Sequence, residues 1–190
     1  MLKLNGQQIA LVYEGQMRRD FKPQGLKPLE LLLRLEQAGR YGGYGFYEGD
    51  ALLGYALLAY AEQSPDVLLD YFAVCPTRRN QGLGQRFLTQ LITELSGDYR
   101  ALLLEVADPR YGREAADQDL NRRRIDFYRR CGVELRDLGC CVQDEHYVMM
   151  VKPLAGAVDD CQIQASLTDI YTAFFGVAHL AEKVVFGEEK

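Results

Sequence analysis

Three side chains in this sequence could do proton chemistry. Glu105 interrupts the apolar run ALLLEV, Ala101 to Val106, near its end. A carboxylate there either closes a salt bridge at a strand end or acts as a base, and a base would need its pKa raised from ~4.3 by burial or like charge. Asp70 lies in a second apolar, aromatic-rich run, Leu68 to Val74, on the same face as Leu68, Phe72 and Val74 by period two. It is the rival carboxylate, and a water chain with no direct base is the third alternative. Tyr128 stands in a basic stretch. A phenol with a pKa near ~10 keeps its proton at neutral pH and can donate it, or it simply packs as a core tyrosine.

Between the two carboxylates lies a candidate anion site. Pro76 ends the run at Val74, because proline cannot donate to a ladder and restricts the residue before it. Arg79-Asn80-Gln81-Gly82-Leu83-Gly84 follows as a glycine-bearing turn, then apolar residues recur at Leu83, Phe87, Leu88, Leu91, Ile92 and Leu95 with helical spacing. Strand, glycine turn and helix in that order leave free backbone N–H groups at a helix start, which attract anions such as phosphate. The turn is not a Walker A loop, since no Gly-Lys-Ser/Thr follows. Nor is it a dinucleotide fingerprint, since Phe87 stands at the third glycine position.

Other reactive types carry less. Cys75 adjoins the turn but has no visible histidine partner, so a covalent route through it is only a formal alternative. His146 and His179 are isolated and read as packed or solvated. Arg122, Arg123, Arg124, Arg129 and Arg130 form a run that usually marks a solvated helix face; it could also hold an acidic acceptor or offset Asp117, Asp119 and Asp126.

The elements that must position these groups follow from periodicity and punctuation. A short strand precedes a helix over about Gln8 to Asp20, and Pro28 opens a second helix rich in leucine that Gly39 closes. Tyr41 to Tyr47 (YGGYGFY) and Ala51 to Ala61 form a glycine-rich hairpin about Glu48-Gly49-Asp50. After the strand at Ala101 to Val106, residues 107–120 read as a polar loop and Asn121 to Cys131 as a short basic helix. Two strands follow, about Val133 to Cys141 and His146 to Lys152. A last helix is expected with a capping box from Ser166 to Asp169 and an apolar stripe running through Ala178 and Ala181 to Val185.

Composition bounds the function. At 190 residues, 48% apolar and 26% charged, the chain suits one globular domain. A net charge of −5 argues against nonspecific nucleic-acid binding. Five cysteines without metal-ligand spacing, two of them adjacent at Cys140 and Cys141, suggest reduced thiols, and no metal site is expected. No secretory leader or membrane span is visible, so a cytoplasmic location is the expectation.

The pattern Val-x-Pro-x-x-Arg-x-x-Gly-x-Gly, Val74 to Gly84, resembles the acyl-CoA site of the GNAT superfamily of N-acyltransferases. The resemblance covers roughly Leu2 to Pro153 and implies an α/β (α+β) fold with a central mixed sheet flanked by helices, opened between the strands ending at Val74 and Val106 to admit acetyl-CoA. Residues 154–190 would then be a linker and an extra C-terminal amphipathic helix, packed on the domain or, less often, on a partner in a homodimer. The resemblance implies that Phe72, Ala73 and Val74 pair with the pantetheine arm and that Arg79, Asn80, Gln81 and Gly82 with Leu83, Gly84 and Gln85 bind the pyrophosphate. The amide near Val74 would serve as oxyanion donor.

The spacing Asn121-x6-Tyr128-x3-Gly132 resembles the fourth motif of that family. There the tyrosine sits by the CoA sulfur as acid, and Asn121, with Phe127, would contact the cofactor. LEV followed by Asn and Phe-Tyr resembles the ribosomal-protein alanine N-acetyltransferases, in which the glutamate matching Glu105 deprotonates the amine; about ten extra residues before Asn121 set this chain apart from them. The implied activity is acetyl transfer from acetyl-CoA to a primary amine, on a protein or a small molecule, by direct attack. The alternative is a catalytically silent member that binds CoA or a protein partner.

Overall fold

The structure is a computed structural model that describes residues 1–79 and 81–187. It has the expected fold class, α/β with sheet flanked by helices, in two compact units. The first comprises residues 1–60 and 69–94, the second residues 61–68 and 95–190.

In the first unit β1 (Leu2–Leu4) leads into α1 (Gly6–Val12), capped by Asn5 and Gln8 in a reciprocal box. The helix widens to a π segment over Tyr13–Met17 and closes as α2 (Arg18–Asp20). The helix expected over Gln8 to Asp20 is therefore one rod with a bulge. Pro28 caps α3 (Leu29–Gln37) rather than opening it, and Gly39 follows at φ 70. β2 (Tyr41–Glu48) and β3 (Ala51–Tyr60) form the antiparallel hairpin, with β1 on the outer edge of β2. Residues Leu69–Val74 of β4 (Asp66–Val74) and most of α4 (Leu83–Leu95) complete the unit. Ile9, Met17, Leu32, Tyr55, Leu57, Phe87 and Leu91 are fully buried in it.

In the second unit β5 (Ala101–Ala107) pairs antiparallel with β7 (Glu145–Pro153), which pairs with β6 (Glu134–Val142), which pairs in turn with β8 (Val184–Phe186). α5 (Ala115–Arg130) packs on β5 and β6.

Two expectations are corrected here. The expected polar loop at 107–120 ends in helix from residue 115 onward: α5 begins at Ala115, because two alanines and the acidic Asp117 make a good first turn. The last helix, α6 (Asp160–Phe175), starts earlier than Ser166 and is boxed by Asp159 and Gln162. It stops where Gly176 takes φ 79, so Ala178, Ala181 and Val185 fall in a 3₁₀ turn, the short α7 (Leu180–Lys183) and β8.

Ser166 and Asp169 serve a different end. Asp169 accepts the backbone N–H groups of Glu62 and Gln63. The Ser166 hydroxyl donates to Asp66 at 2.6 Å, and Ser64 lies 2.6 Å from the same hydroxyl. Asp66 is 0% exposed and also accepts Nε and Nη2 of Arg100. The 61–68 segment is thus latched onto α6 within this unit.

A carboxylate so enclosed cannot lose its cation cheaply. Arg100→Met should lower stability by about 3 kcal/mol, since one partner of a buried pair is left behind. Ser166→Ala removes one neutral donor to that charge and should lower it by about 1 kcal/mol. Urea midpoints of the two variants check the order; Ser166→Ala as the more damaging change would contradict it.

Candidate functional site

The turn after β4 is held from both sides. The Cys75 N–H donates to Leu53 O at 2.8 Å, and Gly54 lies so close to β4 that an added Cβ would sit 2.8 Å from Ala73 O. Pro76–Arg78 makes a 3₁₀ turn, and Gly82 adopts φ 73, a conformation that a β-branched residue resists. α4 starts directly after it. Its first intrahelical bond is Arg86 N–H to Gly82 O at 3.1 Å, so the amides of Leu83, Gly84 and Gln85 have no acceptor within the helix. Gln81, Gly82 and Gln85 are exposed, and Leu83 and Gly84 half-buried. Asn80 lies outside the described residues. Helix-start amides without an intrahelical acceptor are the kind of groups that attract anions.

Phe72 is half-buried, its ring 5.2 Å from that of Phe87, which stacks on Phe46; Ala73 is buried. Arg79 donates from Nε to Val74 O at 3.1 Å and from Nη2 to Asp20 at 3.4 Å. The Arg78–Glu48 pair is exposed on both sides and contributes little.

Asp70 does face the same way as Phe72 and Val74, since those positions are the less buried ones along β4. Its side chain is nevertheless only 3% exposed, and both oxygens are engaged. Oδ1 lies 2.6 Å from Lys27 Nζ, and Oδ2 accepts the Tyr41 hydroxyl at 2.6 Å. Burial first, then the charge of Asp70, holds the Tyr41 phenol well above its ordinary range. Tyr71 clamps the same loop, accepting from Lys27 N and donating to Gly25 O.

In the second unit Glu105 is half-buried on β5, opposite Met149, with Oε1 4.0 Å from Cys140 Sγ. Burial, then the Glu105 charge, pushes the Cys140 thiol up. Asn121, Ile125 and Tyr128 share the inward stripe of α5; Asn121 and Ile125 are buried. Burial pushes the Tyr128 phenol up to about 12 against the opposing pull of Arg124. Its hydroxyl has no hydrogen-bond partner among the described residues. Phe127 is half-buried with its ring 5.2 Å from that of Tyr128. On the outer face Arg122 pairs with Asp119 and Arg129 with Asp126, so acidic neighbours offset part of the basic run.

The structure therefore gathers Asp70, Phe72, Ala73, Val74, Arg79 and the turn in one unit, and Glu105, Asn121, Phe127 and Tyr128 in the other. Lys27, Tyr41 and Asp20 carry no local signal in the sequence that would tie them to the strand at Asp70. Tyr111, stacked on His146 at 3.7 Å, stands on a loop braced by the Asp108–Arg110 ion pair; only Asp-Pro-Arg, an Asx-type turn, hints at it. No group of three or more His, Cys, Asp or Glu among the described residues could hold a metal ion, and no described helix is long and apolar enough to cross a membrane.

A family model described as the acetyltransferase (GNAT) family matches residues 9–133. No protein of curated function matches the chain. Among solved structures, a GNAT-family acetyltransferase from Bacteroides thetaiotaomicron superposes with a TM-score of 0.71 at 23% identity, over 93% of this chain and 99% of that one. The ribosomal-protein-S18-alanine N-acetyltransferase of Escherichia coli gives 0.60 at 20% identity, over 84% and 96%. An aminoglycoside 6′-N-acetyltransferase complexed with coenzyme A gives 0.56 at 15% identity, over 84% and 100%. At these identities the likeness is one of fold.

The cysteine beside the turn can be tested directly. Burial, then the charge of Asp20, pushes the Cys75 thiol up, so little thiolate is present near neutral pH. Iodoacetamide at pH 7.5 should label the exposed Cys161 well before Cys75, and Cys75 labelling should climb as pH rises, as read by peptide mass spectrometry. Rapid, pH-independent alkylation of Cys75 would show an activated nucleophile instead.

Proposed function

The chain belongs to the acetyltransferase (GNAT) family, and from that premise we propose that it transfers an acetyl group from acetyl-CoA to a primary amine by direct attack within a ternary complex. The observation that carries this is the cradle after β4: a glycine at φ 73 followed by helix-start amides without intrahelical acceptors, which suits a pyrophosphate. Arg79, Gln81, Gly82, Leu83, Gly84 and Gln85 would hold that group; Asn80, expected among them, lies outside the described residues. The backbone of Phe72, Ala73 and Val74 would run along the pantetheine arm, and Asn121 and Phe127 would contact the cofactor from α5.

The chemistry requires a neutral amine, an oxyanion donor and a proton for the leaving thiolate. A lysine-type amine near pKa ~10.4 is almost wholly charged at neutral pH. We assign its deprotonation to Glu105 rather than Asp70, because Asp70 already serves Lys27 and Tyr41 with its two oxygens. The amide near Val74 would steady the oxyanion. Tyr128, protonated and without a hydrogen-bond partner among the described residues, would donate to the sulfur. The raised Cys75 thiol favours direct transfer over an acetyl-cysteine intermediate.

Calorimetric titration with acetyl-CoA, desulfo-CoA and ATP should show binding of both CoA species and none of ATP. Gly82→Val should weaken acetyl-CoA at least tenfold. On a panel of protein and small-molecule amines, Tyr128→Phe should lower kcat by about 10²-fold or more without changing the acetyl-CoA Kd. Glu105→Gln, and not Asp70→Asn, should erase the limb on which rate climbs as the base loses its proton. A protein that binds acetyl-CoA yet turns over no amine would be a silent member of the family. One that binds no CoA species would end the transferase proposal.

A further inference from the structure

Asp20 ends the N-terminal helical rod, 59 residues before Arg79 in sequence, yet it is joined to the turn after β4. Its side chain is 4% exposed, whereas that of Arg79 is 52% exposed. Oδ2 of Asp20 accepts the hydroxyl of the fully buried Tyr55 at 2.8 Å, and Oδ1 faces Arg79 Nη2 at 3.4 Å. The same guanidinium gives its Nε–H to Val74 O at 3.1 Å. Burial, then the hydrogen bond to Asp20, holds the Tyr55 phenol far up, so Tyr55 remains a donor throughout the working pH range.

We propose that Asp20 is a positioning residue for anion recognition: anchored by Tyr55, it fixes Arg79 as a preset fork at the mouth of the cradle, where Arg79 meets the pyrophosphate of CoA. This rests on the assignment of that cradle to acetyl-CoA and adds a residue that no motif there includes. The physical basis is conformational. A guanidinium has five N–H groups in a rigid plane, and here two corners are tied, one to backbone and one to a buried carboxylate, leaving the remaining N–H groups for a ligand. An exposed arginine that is already ordered loses less rotamer freedom when it meets an anion, an advantage of about fivefold in affinity for one such side chain. The negative charge of Asp20 works against the anion directly, so the gain from order must exceed that repulsion for Asp20 to help.

Two variants separate these effects. Tyr55→Phe frees the anchor and leaves every charge in place; Asp20→Asn removes the charge and keeps the size. Calorimetry with acetyl-CoA and with acetyl-pantetheine, which lacks the pyrophosphate, reads the result. Both variants should weaken acetyl-CoA about fivefold, Tyr55→Phe somewhat less, while acetyl-pantetheine binds as to wild type. In an Arg79→Gln background neither substitution should weaken acetyl-CoA further. Tighter binding by Asp20→Asn would overturn the proposal and make Asp20 a competitor for Arg79. Equal losses for both ligands, or equal losses with and without Arg79, would also overturn it, since either would mark a general disturbance of the fold. If wild type binds acetyl-pantetheine but gains nothing from the pyrophosphate, the role of Asp20 falls while the transferase proposal stands; if it binds neither ligand, both fall.

Discussion

Buried carboxylates set the terms of this structure. Asp20, Asp66, Asp70 and Asp108 have side chains at most 4% exposed, and each faces a basic side chain: Arg79, Arg100, Lys27 and Arg110 in turn. A charge taken out of water must find a cation and further donors, or it does not stay charged. For Asp66 the further donor is Ser166, for Asp70 it is Tyr41, for Asp20 it is Tyr55, and for Asp108 it is the Arg110 N–H. Three of them fix one stretch of chain against another: Asp66 the 61–68 segment on α6, Asp70 the loop around Lys27 on β4, and Asp20 the N-terminal rod on the turn after β4, whereas Asp108 braces its own turn through Arg110. Apolar packing alone would tolerate small slides in these places, whereas a two-oxygen, multi-donor site does not.

The turn proposed to hold the pyrophosphate depends on a different constraint, one carried by the backbone. Its donors are amides at a helix start, and what the sequence must supply is a residue able to take positive φ at Gly82 and a helix that begins at once. That requirement is local, so the order of strand, glycine turn and helix could be read from spacing. The same locality makes the strands at Leu68 to Val74 and Ala101 to Val106 legible, since their alternation and apolar runs reflect burial directly.

What could not be read was nonlocal or hinged on a competition between two local signals. The Lys27–Asp70, Asp66–Ser166 and Asp20–Arg79 contacts span 43, 100 and 59 residues, and nothing in either partner's neighbourhood announces the other. Ser166 and Asp169 have the spacing of a capping box, but Asp159 and Gln162 have it too and stand where the helix begins. The later pair was left to bond the 61–68 segment. The start of α5 is hidden by the polarity of residues 107–120, although the acidic Asp117 in the first turn favours the helix and two alanines precede it. Alternation puts Asp70 on the correct face of its strand, yet it cannot show that Lys27 and Tyr41 fill both oxygens.

Those pairings bear on which residues can move protons in the proposed reaction. A carboxylate whose oxygens already meet an ammonium and a phenol has little left to gain from a third proton donor, so the ion pair that secures the loop makes Asp70 a poor partner for an incoming ammonium. Tyr128 is the converse case. Burial raises its phenol to about 12, which keeps the proton in place while the site waits and makes outright transfer to a thiolate of ordinary basicity, pKa ~8.5, uphill. Such a phenol works best as a hydrogen-bond donor while charge builds on the sulfur, with the proton lost by the attacking amine completing the exchange. In the proposed reaction, an acid too weak to ionise early suits a step in which the C–S bond breaks only after the C–N bond has formed.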